Sequence, residues 1–159
     1  MEEKVFLLAD DDRDDTELFC EALASIDKNI VCRCAENGFE ALSKLGEHSE
    51  LPQLIFLDVN MPIMNGWQCL KQLKANEVYK PIPVIIYSTS SNQREVNTAM
   101  ELGALCFFRK PDDYPQLKRS LEVIVNNIGD GLLNAIHTLK VNENLLVFDS
   151  SSQEDSQTK

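Results

Sequence analysis

Four short apolar runs in this chain end on residues that together could hold a metal ion and a phosphate. Val5 to Ala9 runs into Asp10, Asp11 and Asp12, Leu54 to Leu57 ends on Asp58, Val84 to Tyr87 leads to Ser88, and Leu105 to Phe108 leads through Arg109 to Lys110. Two carboxylates about 4 Å apart repel by roughly 4 kcal/mol at an effective dielectric of about 20, so a set of three requires a cation or altered proton affinities. Hard oxygen ligands suit Mg²⁺, with Mn²⁺ as the alternative, and the absence of His and Cys from the set disfavours zinc. Phosphoryl transfer to a carboxylate needs an in-line nucleophile, a metal for the equatorial oxygens, and donor or positive groups for the remaining charge. Each part occurs once: Asp58 as nucleophile, Asp10 and Asp11 as metal anchors, Ser88 as hydroxyl donor and Lys110 as cation. Asp12 is expected to serve as an acid at a helix N-terminus instead. Singly, each residue has an ordinary explanation, since Asp58 could cap a loop, Ser88 could cap a helix and Lys110 could be a loop lysine. Their joint placement at strand ends carries the functional expectation.

Strands apolar on both faces belong to parallel sheets covered by helices. Between them lie stripes at helical spacing, such as Leu18, Phe19, Ala22, Leu23 and Ile26, and then Val96, Ala99 and Met100. Ile30 to Ala35 alternates around Arg33 as an edge strand would, and Gly46, Gly103 and Gly129 are expected to close helices. Strands near residues 5, 30, 54, 84 and 105, each followed by a helix, imply a doubly wound α/β fold with five parallel strands. Such a sheet brings the carboxyl ends of its strands to one edge, where these folds bind ligands. After Gly131 the pattern weakens. Leu132 to Leu139 could form a short helix, Leu145 to Phe148 a short strand or docking segment, and residues 150–159 are expected to be disordered.

The 159 residues carry 26 acids against 15 Lys and Arg, a formal charge of −11, which disfavours direct contact with nucleic acid. An acidic start and the lack of a long apolar run argue against a signal peptide or membrane span, so a cytoplasmic protein is expected. Cys20, Cys32, Cys34, Cys69 and Cys106 show no C-x-x-C spacing and are expected to be buried free thiols.

The blocks FLLADDD, LIFLDVNMPIMNG, VIIYSTS and FFRKP resemble, in order, the four motifs of the receiver domain of two-component response regulators. The resemblance covers residues 4–128 as one receiver domain and leaves 129–159 as a weakly structured C-terminal extension without an output domain. It implies a flavodoxin-like (CheY-like) strand order 2-1-3-4-5. It also implies that the chain is a phosphoacceptor rather than an enzyme in the usual sense, receiving a phosphoryl group on Asp58 from a kinase histidine. Asp11 and Asp58 would bind Mg²⁺ directly, Asp10 largely through water, and Asn60 through its backbone carbonyl. Ser88 and Lys110 would contact the phosphoryl oxygens, the latter aided by a cis bond to Pro111. Ser88 and Phe107 would be the switch pair, Phe107 standing where Tyr is often found, and Asn60 and Ser90 would tune phosphate lifetime.

The partners implied are a sensor histidine kinase, phytochrome-like or hybrid, and a protein target met through the face of the fourth helix, fifth strand and fifth helix. That face is also a candidate homodimer surface. Three alternatives remain beside this. A haloacid dehalogenase phosphatase would want an acid where Asn60 stands, a flavodoxin would want a phosphate loop in place of the acids, and a pseudo-receiver would have lost part of the set.

Overall fold

The computed structural model describes residues 3–90, 92–129, 131–142 and 147–148. Strands and helices alternate: β1 (Lys4–Ala9), α1 (Arg13–Ile26), β2 (Ile30–Ala35), α2 (Gly38–Glu47), β3 (Leu54–Leu57), α3 (Gly66–Ala75), β4 (Val84–Ser88), α4 (Gln93–Glu101), β5 (Cys106–Arg109) and α5 (Tyr114–Val125). After these come α6 (Leu132–Asn142) and β6 (Val147–Phe148). The first five strands are parallel in the order 2-1-3-4-5, and β6 adds an antiparallel sixth strand beside β5.

Every residue of β3 and β4 is buried, which accounts for their unbroken apolar character, whereas edge strand β2 is only partly covered. The sheet divides two cores. On one face, Phe6, Phe19, Phe56, Tyr87 and Phe108 join residues of α1, α5 and α6; on the other, Leu7, Ile55, Ile86 and Phe107 pack with α2, α3 and α4. The rings of the first core meet edge to face, with Phe19 centred 4.8 Å from Phe56 and 5.4 Å from Tyr87.

Helix starts follow local chemistry. Asp12, Asn37, Asn65, Asn92 and Asp113 each cap a helix by accepting a backbone N–H from three residues on, so Asp12 is the helix acid expected of it. Gly46 does not stop α2, which runs on to Glu47, since a single Gly weakens a helix without breaking it. The helix expected over Leu132 to Leu139 extends to Asn142, and Leu132, Ile136 and Leu139 are buried against the first core. Of the segment expected to form a strand at 145–148, Val147–Phe148 are β6, while residues 145–146 and 149–159, including the tail expected to be disordered, lie outside the described residues.

Candidate functional site

Parallel pairing fixes the edge on which the site stands. The Asp58 N–H donates to the Ala9 carbonyl at 2.9 Å, the Asp10 N–H to Ala35 at 2.9 Å, and the Lys110 N–H to Ser88 at 2.7 Å. The ends of β1, β3, β4 and β5 are thereby locked side by side. Carboxylate oxygens of Asp10, Asp11 and Asp58 lie within 4.8 Å of one another. Asp10 and Asp58 are buried and Asp11 is exposed, so the trio forms a cup open to solvent on one side.

The loop after Asp58 is shaped by two backbone constraints. Gly66 donates to the Val59 carbonyl at 2.9 Å, and a Cβ there would run into the Asp58 carbonyl oxygen, so the start of α3 can close on the acid only as glycine. Ile63 holds φ at 68°, a costly value for a β-branched residue, and its side chain is 82% exposed.

Lys110 bridges the cluster. Its Nζ lies 2.8 Å from Asp10 Oδ2, 2.8 Å from Asp15 Oδ2 and 3.6 Å from Asp58 Oδ2. It also sits 5.4 Å from the centre of the Tyr87 ring. Burial pulls the ammonium pKa down, but the hydrogen bonds and charges of Asp10, Asp15 and Asp58 outweigh it, so Lys110 stays charged with a raised pKa. For Asp58 burial wins: its carboxyl is pushed up to about 6 by desolvation, opposed by Lys110 and reinforced by Asp10. One Asp58 oxygen accepts the Val59 N–H at 2.8 Å. Asp10 Oδ1 accepts the Asp12 N–H at 3.0 Å, while the buried Asp10 Oδ2 is held by its ion pair with Lys110.

Three acids at mutual ligand distance, two of them buried, and a nucleophile-type Asp raised by desolvation fit a divalent cation that would neutralise them. The donor set is all oxygen, as the sequence implied.

The other expected site residues are placed as follows. Ser88 ends β4, buried, and its Oγ accepts the Ser90 N–H at 3.4 Å. The Ser90 hydroxyl is turned to Glu95, donating to Oε2 at 2.5 Å. Asn60 is exposed on the loop after Asp58. Phe107 is wholly buried between Ile86 of β4 and Phe148 of β6 in the register. The cis bond implied for Lys110–Pro111 is not found: all described peptide bonds are trans. Trans is the lower-energy form for X–Pro by about 0.5–1 kcal/mol, and from it the ammonium already reaches Asp10 and Asp15.

Asp15 is the participant that sequence reasoning missed. An acid in the first turn of α1 has the helix dipole as its ordinary explanation, yet Asp15 shares Lys110 equally with Asp10. Its spacing of three from the Asp12 cap puts both near the same helix end, a signal visible in the sequence but shared by many surface acids.

Fold and site together define a doubly wound α/β signalling domain with an acidic pocket at the carboxyl edge of its sheet. The sequence pattern described as "Response regulator receiver domain" matches residues 6–122, and the chain belongs to that family. It is 32% identical to response regulator Rcp1 of Synechocystis sp. over 128 residues, covering 76% of this chain and 86% of Rcp1. It is 38% identical to chemotaxis protein CheY1 of Helicobacter pylori over 91 residues, covering 57% of this chain and 73% of CheY1. Among solved structures, the phosphorylated cyanobacterial phytochrome response regulator RcpA superposes with a TM-score of 0.74 at 28% identity, covering 80% of this chain and 94% of RcpA. The Mn²⁺-bound form of Rcp1 gives a TM-score of 0.67 at 32% identity, covering 76% of this chain and 91% of Rcp1. The chain is thus a receiver of the CheY and Rcp1 type in two-component signalling, a family of phosphoacceptors rather than classical enzymes. Among the described residues no helix is long and apolar enough to cross a membrane.

Proposed function

We propose that Asp58 accepts a phosphoryl group from the phosphohistidine of a sensor kinase in a Mg²⁺-dependent reaction. The observation that carries this is the grouping of Asp58 with Asp10 and Asp11 at ligand distance, with the Lys110 ammonium 3.6 Å from the Asp58 carboxylate. In the transfer an Asp58 oxygen forms the new P–O bond as the P–N bond to the imidazole breaks, and the imidazole nitrogen leaves with the electron pair. Asp10, Asp11, Asp58 and the Asn60 carbonyl would hold Mg²⁺, or Mn²⁺ in its place, which would supply charge neutralisation to the phosphoryl oxygens. Lys110 trades a carboxylate partner for one phosphoryl oxygen, and the Ser88 hydroxyl donates to another. Asn60 and Ser90, flanking the pocket, govern water access and hence phosphate lifetime, so that the domain assists its own dephosphorylation.

The signalling unit is residues 4–128, with 129–159 as an extension, and its output passes through protein contacts on the α4, β5, α5 face. Ser88 and Phe107 form the switch there, with a homodimer across that face as one form of output. Similarity to the phytochrome response regulator RcpA supports a phytochrome-like kinase as partner, with a hybrid histidine kinase as the other class and the cytoplasm as the proposed location.

Incubation with acetyl phosphate and Mg²⁺ followed by intact-mass measurement should show one phosphoryl adduct. It should be absent with chelator and in Asp58→Asn. An unmodified wild-type mass under conditions that label another receiver overturns the proposal.

A further inference from the structure

Away from the acidic edge, three of the five cysteines converge. Cys20 of α1 and Cys32 and Cys34 of β2 place their sulfurs 2.8, 3.3 and 3.9 Å apart, for the pairs 20–32, 20–34 and 32–34. Cys32 and Cys34 are two apart on a strand and so share one face, the face that α1 covers; Arg33 between them points the other way and donates to the Glu50 carbonyl. All three thiols are half-buried, so they are held by packing yet reachable from solvent.

The geometry points to a second, soft-metal site in this receiver: Cys20, Cys32 and Cys34 together bind one copper(I) ion through three thiolates. Metal–sulfur bonds of about 2.3 Å place the sulfurs of a shared ion roughly 3.8–4.0 Å apart. The longest edge already has that length, and the other two reach it by side-chain shifts of about 1 Å or less. A disulfide would use two of the sulfurs and strand the third, whereas one ion uses all three. Among the described residues no carboxylate or imidazole joins the group, and a structural zinc ion almost always takes four ligands. An all-sulfur set of three suits a monovalent soft d¹⁰ ion, which accepts trigonal thiolate coordination.

One of the three thiols is held below the usual thiol range and the other two above it, so a single one is poised to meet the ion as thiolate. Hydrogen bonds from Cys20 and then Cys32 hold the Cys34 thiol well below the usual thiol range against the opposing effect of burial, and Lys44 adds to this. The Lys44 ammonium itself donates to the Cys34 carbonyl, on the rim of the cluster. On binding, the remaining thiols release their protons to solvent and copper stays in the +1 state, so no oxidant is required.

The test is an anaerobic titration of the full, reduced chain with copper(I) buffered by bicinchoninate. Wild type should take one equivalent from the chelator. Cys20→Ser, Cys32→Ser and Cys34→Ser should each lower affinity about tenfold or more. Cys69→Ala, Cys106→Ala and Asp58→Asn should retain full uptake, which separates this site from the phosphoacceptor pocket. Circular dichroism confirms that each variant is folded, and any serine variant that is not is replaced by alanine. X-ray absorption at the copper edge should show three sulfur neighbours. Uptake by the wild type no greater than by the triple serine variant overturns the site, as does copper bound through nitrogen or oxygen. Displacement of copper(I) by equimolar zinc overturns the choice of ion.

Discussion

Two clusters of three potential ligands sit in one small domain, and they are built in opposite ways. Asp10, Asp11 and Asp58 come from the ends of two neighbouring parallel strands and face the carboxyl edge, where Asp10 and Asp58 pair with Lys110. Cys20, Cys32 and Cys34 come from a helix and the strand beneath it, in the flank of an edge strand. The first is electrostatically unfavourable on its own: burial raises Asp58, and the neighbouring Asp10 carboxylate raises it further. The thiols, by contrast, share hydrogen bonds among themselves, and the one held below the usual thiol range, Cys34, has the Lys44 ammonium beside it. Function at the acidic edge therefore costs stability in the resting protein, and function at the thiol cluster does not.

The sharpest way to break this contrast is to remove the cation that holds the acids together. Lys110→Met should destabilise the metal-free protein by about 3 kcal/mol in urea unfolding at neutral pH, because it leaves Asp10 and Asp58 buried without a counter-charge. A loss below about 1 kcal/mol would show that the acids are not strained by one another.

Next in size is a pH effect. The Asp58 carboxyl is raised from 3.8 to about 6, so its proton stabilises the fold at pH below about 4, and that stabilisation is lost as pH rises through about 6. Metal-free wild type should therefore be stronger at pH 5 than at pH 7.5, with Asp58 contributing about 1.4 kcal/mol across that range. Asp58→Asn should flatten this part of the profile, and millimolar Mg²⁺ should recover most of the loss at pH 7.5. Equal pH profiles for Asp58→Asn and wild type would contradict the desolvated acid.

A smaller effect is expected at Asp15, which competes for Lys110. Asp15→Asn should speed phosphorylation by acetyl phosphate about three- to fivefold, equivalent to about 1 kcal/mol, by freeing the ammonium for the phosphoryl oxygen. A slower rate would mean that Asp15 aims Lys110 rather than restraining it. Least of all, Cys20→Ser should shift metal-free stability by about 0.5 kcal/mol and leave acetyl phosphate labelling unchanged, since that half-buried thiol has no part in the acidic edge.

The contrast also explains what the sequence could reveal. Once Leu54 to Leu57 and the similar runs are taken as parallel strands, topology alone sends Asp10, Asp58, Ser88 and Lys110 to one edge. No side-chain detail is needed. The thiol cluster depends on how α1 is rotated over β2 and on which face of β2 is covered, and the separations of 12 and 14 residues carry no local signature. Asp15 was hidden for the same reason, since its partner is 95 residues away. The short β6 and the run of α2 past Gly46 reflect tertiary packing overriding weak local preference. The trans bond before Pro111 departs from what family resemblance implied, because X–Pro bonds take either form at little cost and the local sequence does not choose.

The central claim concerns one atom pair, the bond between an Asp58 oxygen and phosphorus. It is tested most directly by phosphorylating the protein with acetyl phosphate and Mg²⁺, reducing the acyl phosphate with borohydride, and locating the resulting homoserine by tandem mass spectrometry. The modification should fall at position 58 alone. Homoserine at position 10 or 11 instead, or none in a protein that remains folded and metal-bound, would contradict the assignment.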